Sequence, residues 1–180
     1  DAYELLTSNA PSLGILLRYP CTADPDKRTV NFVEGKAATA SAVVIAAKPL
    51  LSMIGAGNYA SRVLIPAFAK AGARFHSLAA SSGIGPVHLG RKFGFRQAST
   101  DIQALLSDPT CNTIVIVTRH NSHGSLVKQA LAANKHVFVE KPLCLTADEL
   151  VAIEETHNGE QLLMVGFNRR FAPLLVDMTG

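Results

Sequence analysis

One hexapeptide constrains this chain more than any other. Gly55-Ala56-Gly57-Asn58-Tyr59-Ala60 stands directly after the short apolar run Leu50-Leu51-Ser52-Met53-Ile54. Gly55 permits a tight turn out of a strand, and Gly57 lets backbone approach a pyrophosphate. Ala60 replaces the usual third glycine and is small enough for close helix–strand packing. Val63, Leu64, Ala67, Phe68 and Ala71 then recur at helical spacing, which predicts a helix over 59–71 ended by Gly72. Its amino end aims free N–H groups and a positive dipole end at the turn. Strand, glycine turn and helix in that order imply a dinucleotide cradle; the alternative is a glycine turn without a ligand. Pro66 lies inside the helix and removes one backbone donor, so it predicts a kink or a late start.

From residue 50 onward, strand-like and helix-like segments alternate. Strands are expected at 75–80, near Phe95, at 113–117, 136–139 and 162–165, and helices at 86–93, 101–107, 125–133 and 146–157. The run Thr113-Ile114-Val115-Ile116-Val117 is almost wholly apolar and β-branched, the mark of a strand covered on both faces. Thr146 and Glu149 form a capping box, with Leu145 and Leu150 at the staple positions, and Asn134 suits a helix C-cap. The fold expected is α/β: a Rossmann, doubly wound, mainly parallel sheet with helices on both faces. The first fifty residues read differently. A helix end at 2–7, a strand at 14–19, a turn-rich stretch at 22–27, a short strand at 29–33 and small-residue filler at 37–42 are expected.

Bulk composition removes several classes of function. The chain is 48% hydrophobic and 17% charged, which argues for a buried sheet and against disorder. Its formal net charge of +3 comes from scattered Lys and Arg, so no nucleic-acid footprint is expected. Cys21, Cys111 and Cys144 are far apart and form no CxxC pair, which implies a reducing, cytoplasmic setting and no zinc site. No apolar run is long enough to span a membrane, and the opening Asp1-Ala2-Tyr3-Glu4 does not read as a signal peptide.

The chemistry-bearing residues gather at the expected carboxyl ends of the strands, where open α/β sheets bind ligands. The second strand ends Ala80-Ser81-Ser82, without the acidic residue that would hold a ribose 2′-hydroxyl and repel a 2′-phosphate. Ser81 and Ser82 can bond either group, so the cofactor is NAD or NADP. Arg91 and Lys92 follow on the next helix, where a solvated helix end is the alternative. Beyond Val117 come Thr118, Arg119, His120, Asn121, Ser122 and His123; Asn121 or Ser122 can equally cap the following helix. The next strand delivers Glu140, Lys141 and Pro142. Lys141 can donate to a substrate oxygen or move a proton, against the alternative of a surface ion pair.

Taken with Gly166-Phe167-Asn168-Arg169-Arg170-Phe171, these motifs resemble the glucose–fructose oxidoreductase/inositol dehydrogenase (Gfo/Idh/MocA) family from about residue 50 to the end. The resemblance implies NAD(P)-dependent hydride transfer involving a sugar-like or polyol hydroxyl. It implies Lys141 as the catalytic residue beside the nicotinamide. Gly55, Gly57, Asn58, Tyr59, Ala60, Ser81, Ser82, Thr118, Arg119, His120, Asn121, His123, Glu140, Pro142, Asn168 and Arg170 become candidate cofactor contacts, with Asn121 and His123 lining the pocket. A non-catalytic sensing module of the same family is the alternative.

Residues 1–8 and 14–19 resemble the C-terminal helix and strand of a zinc-dependent alcohol dehydrogenase-like module, with none of its zinc ligands. The expected organisation is therefore 1–20 as a tail of such a module, 21–48 as a linker, 49–168 as the Rossmann domain and 169–180 as the start of a substrate domain. Family members usually draw a second catalytic histidine from that domain, so the chain alone is expected to be inactive. Apolar surface left uncovered can drive self-association.

Overall fold

The computed structural model describes residues 7–8, 28–32, 49–81 and 84–179. The β-branched run becomes β5 (Thr113–Ile116), and its side chains alternate between two cores. Ile114 and Ile116 are fully buried with Leu105, Leu106, Val127, Leu131 and Val139 on one face. Val115 points the other way, among Met53, Leu64, Ile65, Leu78 and Phe95. Period-two alternation with both positions apolar is what a sheet sandwiched between two helix layers requires. Each of these buried side chains contributes about 1.5–3 kcal/mol.

The strands are β1 (Thr29–Asn31), β2 (Leu50–Ile54), β3 (Arg74–Ala79), β4 (Gln97–Ser99), β5, β6 (His136–Glu140) and β7 (Leu163–Gly166). They lie in the order β1-β4-β3-β2-β5-β6-β7. All neighbours are parallel except β1, which runs antiparallel to β4 with Thr29 opposite Ser99. The order reverses between β2 and β5, which makes the carboxyl ends of that pair the switch point where ligands bind. Ile54 faces Ile116 across it.

Helices α1 (Ile65–Lys70) and α2 (Ile84–Phe93) cover the Met53 face through Phe68, Leu89 and Phe93. Helices α3 (Ile102–Ser107), α4 (His123–Ala132) and α5 (Ala147–Thr156) cover the other. A short α6 (Pro173–Thr179) follows β7. In α4 the buried residues His123, Leu126, Val127, Ala130 and Leu131 follow one helical stripe. Thr146 and Glu149 do form the capping box of α5, while Leu145 and Leu150 stay exposed. Asp101 caps α3 by accepting from the Ala104 amide at 3.0 Å. Asn134 takes the left-handed conformation expected of a C-cap, with φ 55°.

Pro66 acts differently from a simple kink. It has no N–H to offer, and the preceding turn widens into a π segment over Ala60–Leu64, in which the Ile65 amide bonds the Ala60 carbonyl. The helix thus begins at the glycine turn after all, since Asn58 and Tyr59 are already helical. A second departure concerns the stretch 21–48 expected as a linker. Within it the short strand expected at 29–33 is present as Thr29–Asn31, the edge strand of the sheet, and Phe32 packs into the Met53 core. The expected strand at 14–19 and the filler at 37–42 lie outside the described residues; of the helix expected at 2–7, only Thr7 is described, as helical.

Candidate functional site

β2 leaves the sheet at Gly55, whose amide donates to the Ala79 carbonyl at 2.7 Å. Gly55 has φ 113°, and a Cβ there would stand 2.4 Å from the Val117 carbonyl oxygen. The exits of β2 and β5 can touch only because this residue has no side chain. Gly57 differs: a Cβ there would meet nothing within 4 Å. The protein itself does not need glycine at 57; the space beyond it is open.

That space is a cleft of about 810 Å³. Gly55, Ala56 and Gly57 form one wall, Ala80 and Ser81 another, and Thr118, Arg119 and Asn121 a third. Among the described residues no carboxylate lines it. The glycine turn, the helix start behind it and the bare Gly57 wall fit the pyrophosphate of a dinucleotide. The missing acid at the end of β3 leaves both NAD and NADP admissible. Arg91 and Lys92 do not enter the cleft: the Arg91 guanidinium lies 5.6 Å from the Phe32 ring centroid and Lys92 Nζ lies 5.2 Å from that of Phe93.

A second cleft, of about 420 Å³, adjoins the first through Val117 and Thr118, which line both. Tyr59, His120, Glu140, Lys141, Asn168 and Arg169 surround it. Four segments far apart in sequence meet here. The Asn168 amide donates to the Tyr59 hydroxyl at 3.1 Å, tying the exit of β7 to the glycine-turn helix. The Glu140 carboxyl is packed against the next strand: a Cβ on Gly166 would lie 2.7 Å from its Oε1. Lys141 is exposed, and among the described residues no ion pair engages it, so the surface-pair alternative does not hold. The Lys141–Pro142 peptide is cis.

Neither side-chain cap expected for α4 is present. The Ser122 hydroxyl instead bonds the Arg119 carbonyl at 2.8 Å and the Thr118 hydroxyl at 2.6 Å. Asn121 lies exposed on the larger cleft.

Several expected contacts sit elsewhere. Ala60 is fully buried under the turn, in the packing role of the third glycine. The Asn58 carbonyl accepts from the Ser61 hydroxyl at 3.1 Å, and its side chain lines neither cleft. The Arg170 guanidinium lies over the Phe171 ring, 4.8 Å from its centroid, and its neighbour Arg169 faces the cleft instead. Two consecutive arginines give sequence reasoning no means of choosing; the 3-10 turn Asn168–Phe171 decides which one points inward. His123, by contrast, belongs to the lining of the second cleft, where it is fully buried, with Nδ1 2.7 Å from the Pro142 carbonyl and Nε2 3.2 Å from that of Thr118. Ser82 lies outside the described residues. Among the described residues no group of three His, Cys, Asp or Glu could hold a metal, and no helix is long and apolar enough to cross a membrane.

Comparison with known proteins gives this architecture its relatives. The chain is 42% identical over 81 residues to myo-inositol 2-dehydrogenase of Thermotoga maritima, covering 44% of this chain and 24% of that protein. The chain thus spans about a quarter of the length of the curated relatives it matches. Levoglucosan dehydrogenase, solved with NADH and levoglucosan, superposes with a TM-score of 0.61 at 26% identity, over 71% of this chain and 37% of that one. Biliverdin reductase of Synechocystis sp. PCC 6803, solved with biliverdin and NADP+, gives 0.54 at 28% identity, over 64% and 36%. The profile of the Gfo/Idh/MocA oxidoreductases, described as an oxidoreductase family with an NAD-binding Rossmann fold, matches residues 50–167, and the chain belongs to that family.

Proposed function

We propose that this chain supplies the nucleotide-binding side of a dehydrogenase that moves a hydride between NAD or NADP and a hydroxyl-bearing carbon of a sugar-like or polyol substrate. The observation that carries this is the junction of the two clefts at Thr118: the glycine turn opens on one side and Lys141 stands on the other. A dinucleotide held in the larger cleft would supply the hydride chemistry through its nicotinamide. Lys141 Nζ donates a hydrogen bond to the reacting oxygen and holds the proton exchanged there. Tyr59 and Asn168, bonded to each other, and Arg169 orient what lies between them. Gly55, Gly57, Ser81, Thr118, Arg119 and Asn121 hold the dinucleotide.

Two of the relatives support the substrate class, since their names give an inositol and levoglucosan as what they act on, whereas the third is a biliverdin reductase. The proposed organisation keeps residues 49–168 as the nucleotide domain and adds the strand at 29–31 to it. A substrate domain begins at 169, and 1–20 retains its resemblance to the tail of an alcohol dehydrogenase-like module. The scattered cysteines support a cytoplasmic setting. Phe167, Phe171, Leu174 and Met178, all exposed, support self-association of the isolated chain.

Titrating NADH and NADPH against the chain, with nucleotide fluorescence as readout, tests the binding half. Saturable binding of at least one is expected, with a rise in Tm; at a hundredfold excess over Kd the stabilisation is about 2.7 kcal/mol. No binding of either at millimolar concentration sinks the reading. In the full-length protein, Lys141→Ala is expected to lower kcat by about 10²–10⁴ while nucleotide affinity changes little. Unchanged turnover of a sugar or polyol panel would remove Lys141 from catalysis.

A further inference from the structure

His123 stands in the lining of the second cleft and is fully buried there. It stands at the start of α4, and each ring nitrogen faces one backbone carbonyl. Nδ1 lies 2.7 Å from Pro142 O, and Nε2 lies 3.2 Å from Thr118 O. Those carbonyls belong to different loops. Thr118 follows β5 and lines both clefts, while Pro142 directly follows Lys141. The Thr118 hydroxyl is held separately by Ser122 at 2.6 Å.

We infer that His123 is a positioning residue: through Nδ1 it ties the loop after β6 to the start of α4, whose backbone is bonded to the turn after β5, and so sets where Lys141 stands relative to the cleft junction. The inference rests on the proposed role of Lys141 and deepens it. Lys141 itself is exposed, and its side chain has four rotatable carbons. Its backbone must therefore be fixed from the carbonyl side, and of the described hydrogen bonds to Pro142 O the one from His123 does this. The shorter contact assigns the donated proton to Nδ1. The ring is fully buried, so it acts through the peptide it holds.

Two substitutions separate the two contacts. In His123→Asn the side-chain amide takes the place of Nδ1 and keeps the bond to Pro142. In His123→Gln it reaches the place of Nε2, beside the Thr118 carbonyl, and loses the bond to Pro142. The readout is the rate at which acetic anhydride acetylates Lys141, resolved by mass spectrometry and referenced to Lys128, with and without NADH. We expect wild-type rates in His123→Asn and a severalfold change in His123→Gln, with similar losses of Tm in both. Wild-type behaviour in His123→Gln, or equal change in both variants, overturns the inference. Should either variant fail to fold, long-range 1H–15N spectra of the wild-type His123 ring decide: an Nδ1 proton protected from exchange is expected, and an Nδ1 without a proton overturns it. The rates without nucleotide test the strut even if NADH does not bind, so its failure is distinguishable from failure of the proposed function.

Discussion

Two glycines two residues apart do opposite work. Gly55 is required by the protein: its φ of 113° and the Val117 carbonyl 2.4 Å from where a Cβ would stand leave no room for a side chain. Gly55→Ala must move the exit of β2 away from that of β5, and such strain costs about 1–3 kcal/mol. Gly57 is not required by the protein, since a Cβ there meets only open cleft, and in the proposed function it answers to the ligand. Gly57→Ala is expected to keep the wild-type Tm and to weaken NADH binding, because the methyl occupies the path of the pyrophosphate. Circular dichroism melts paired with NADH titration check both halves. A Gly57→Ala chain that binds NADH as the wild type does would show that the dinucleotide does not approach at that wall.

At the scale of elements, the edge strand β1 is the instructive piece. Its three residues are exposed, so little in their own burial favours a strand. What holds them is pairing with β4 and the side chain that follows. Phe32 reaches over α2, where a Cβ on Gly90 would sit 2.4 Å from its ring, and Arg91 lies against the ring as well. The Phe32 amide also donates to the Arg96 carbonyl at 2.8 Å. Phe32→Ala is expected to cost roughly 1.5–3 kcal/mol, the range for an apolar side chain leaving such a contact. Hydrogen exchange at residues 97–99 is expected to rise with it, since β4 loses the cover of β1. Unchanged exchange there would mean that β1 pairs without Phe32. The sequence predicts a short strand at 29–33 but not its place in the sheet, because the partner it pairs with lies seventy residues away.

The molecule as a whole has a polar fastening at the end of the sheet away from the clefts. His76 Nε2 lies 2.7 Å from Asp108 Oδ2 and 2.8 Å from the Thr110 hydroxyl. Thr110 also donates to Asp108 through its hydroxyl and amide, at 2.6 and 2.9 Å. Lys135 Nζ donates to the Asp108 and Cys111 carbonyls, both at 2.7 Å. Burial pushes the Asp108 carboxyl up, but the bonds from Thr110 and His76 and the His76 charge outweigh it, and the net shift is below the ordinary 3.8. A carboxyl held lower in the folded state than in the unfolded one stabilises above its unfolded pKa and loses that contribution as pH falls through the folded value. Asp108→Asn is therefore expected to flatten the fall in the urea midpoint below about pH 4, leaving nucleotide binding unchanged. An undiminished slope in the variant would assign the acid sensitivity to other carboxylates.

Read along the chain, the sequence determined the alternating elements from residue 50, the glycine turn, the capping box at Thr146 and the β-branched central strand. Each is a local pattern, set by the geometry of its own backbone and by which face must be apolar. It also placed Lys141 at a strand end, because the Glu-Lys-Pro run follows that strand directly. The tertiary structure decided the rest. It packed the His123 ring against the Pro142 carbonyl, sent Arg91 to Phe32 and paired residues 29–31 with β4. None of these has a local cause. Each depends on which distant backbone or ring comes within a few ångströms, and that is fixed only once the strands have taken their order.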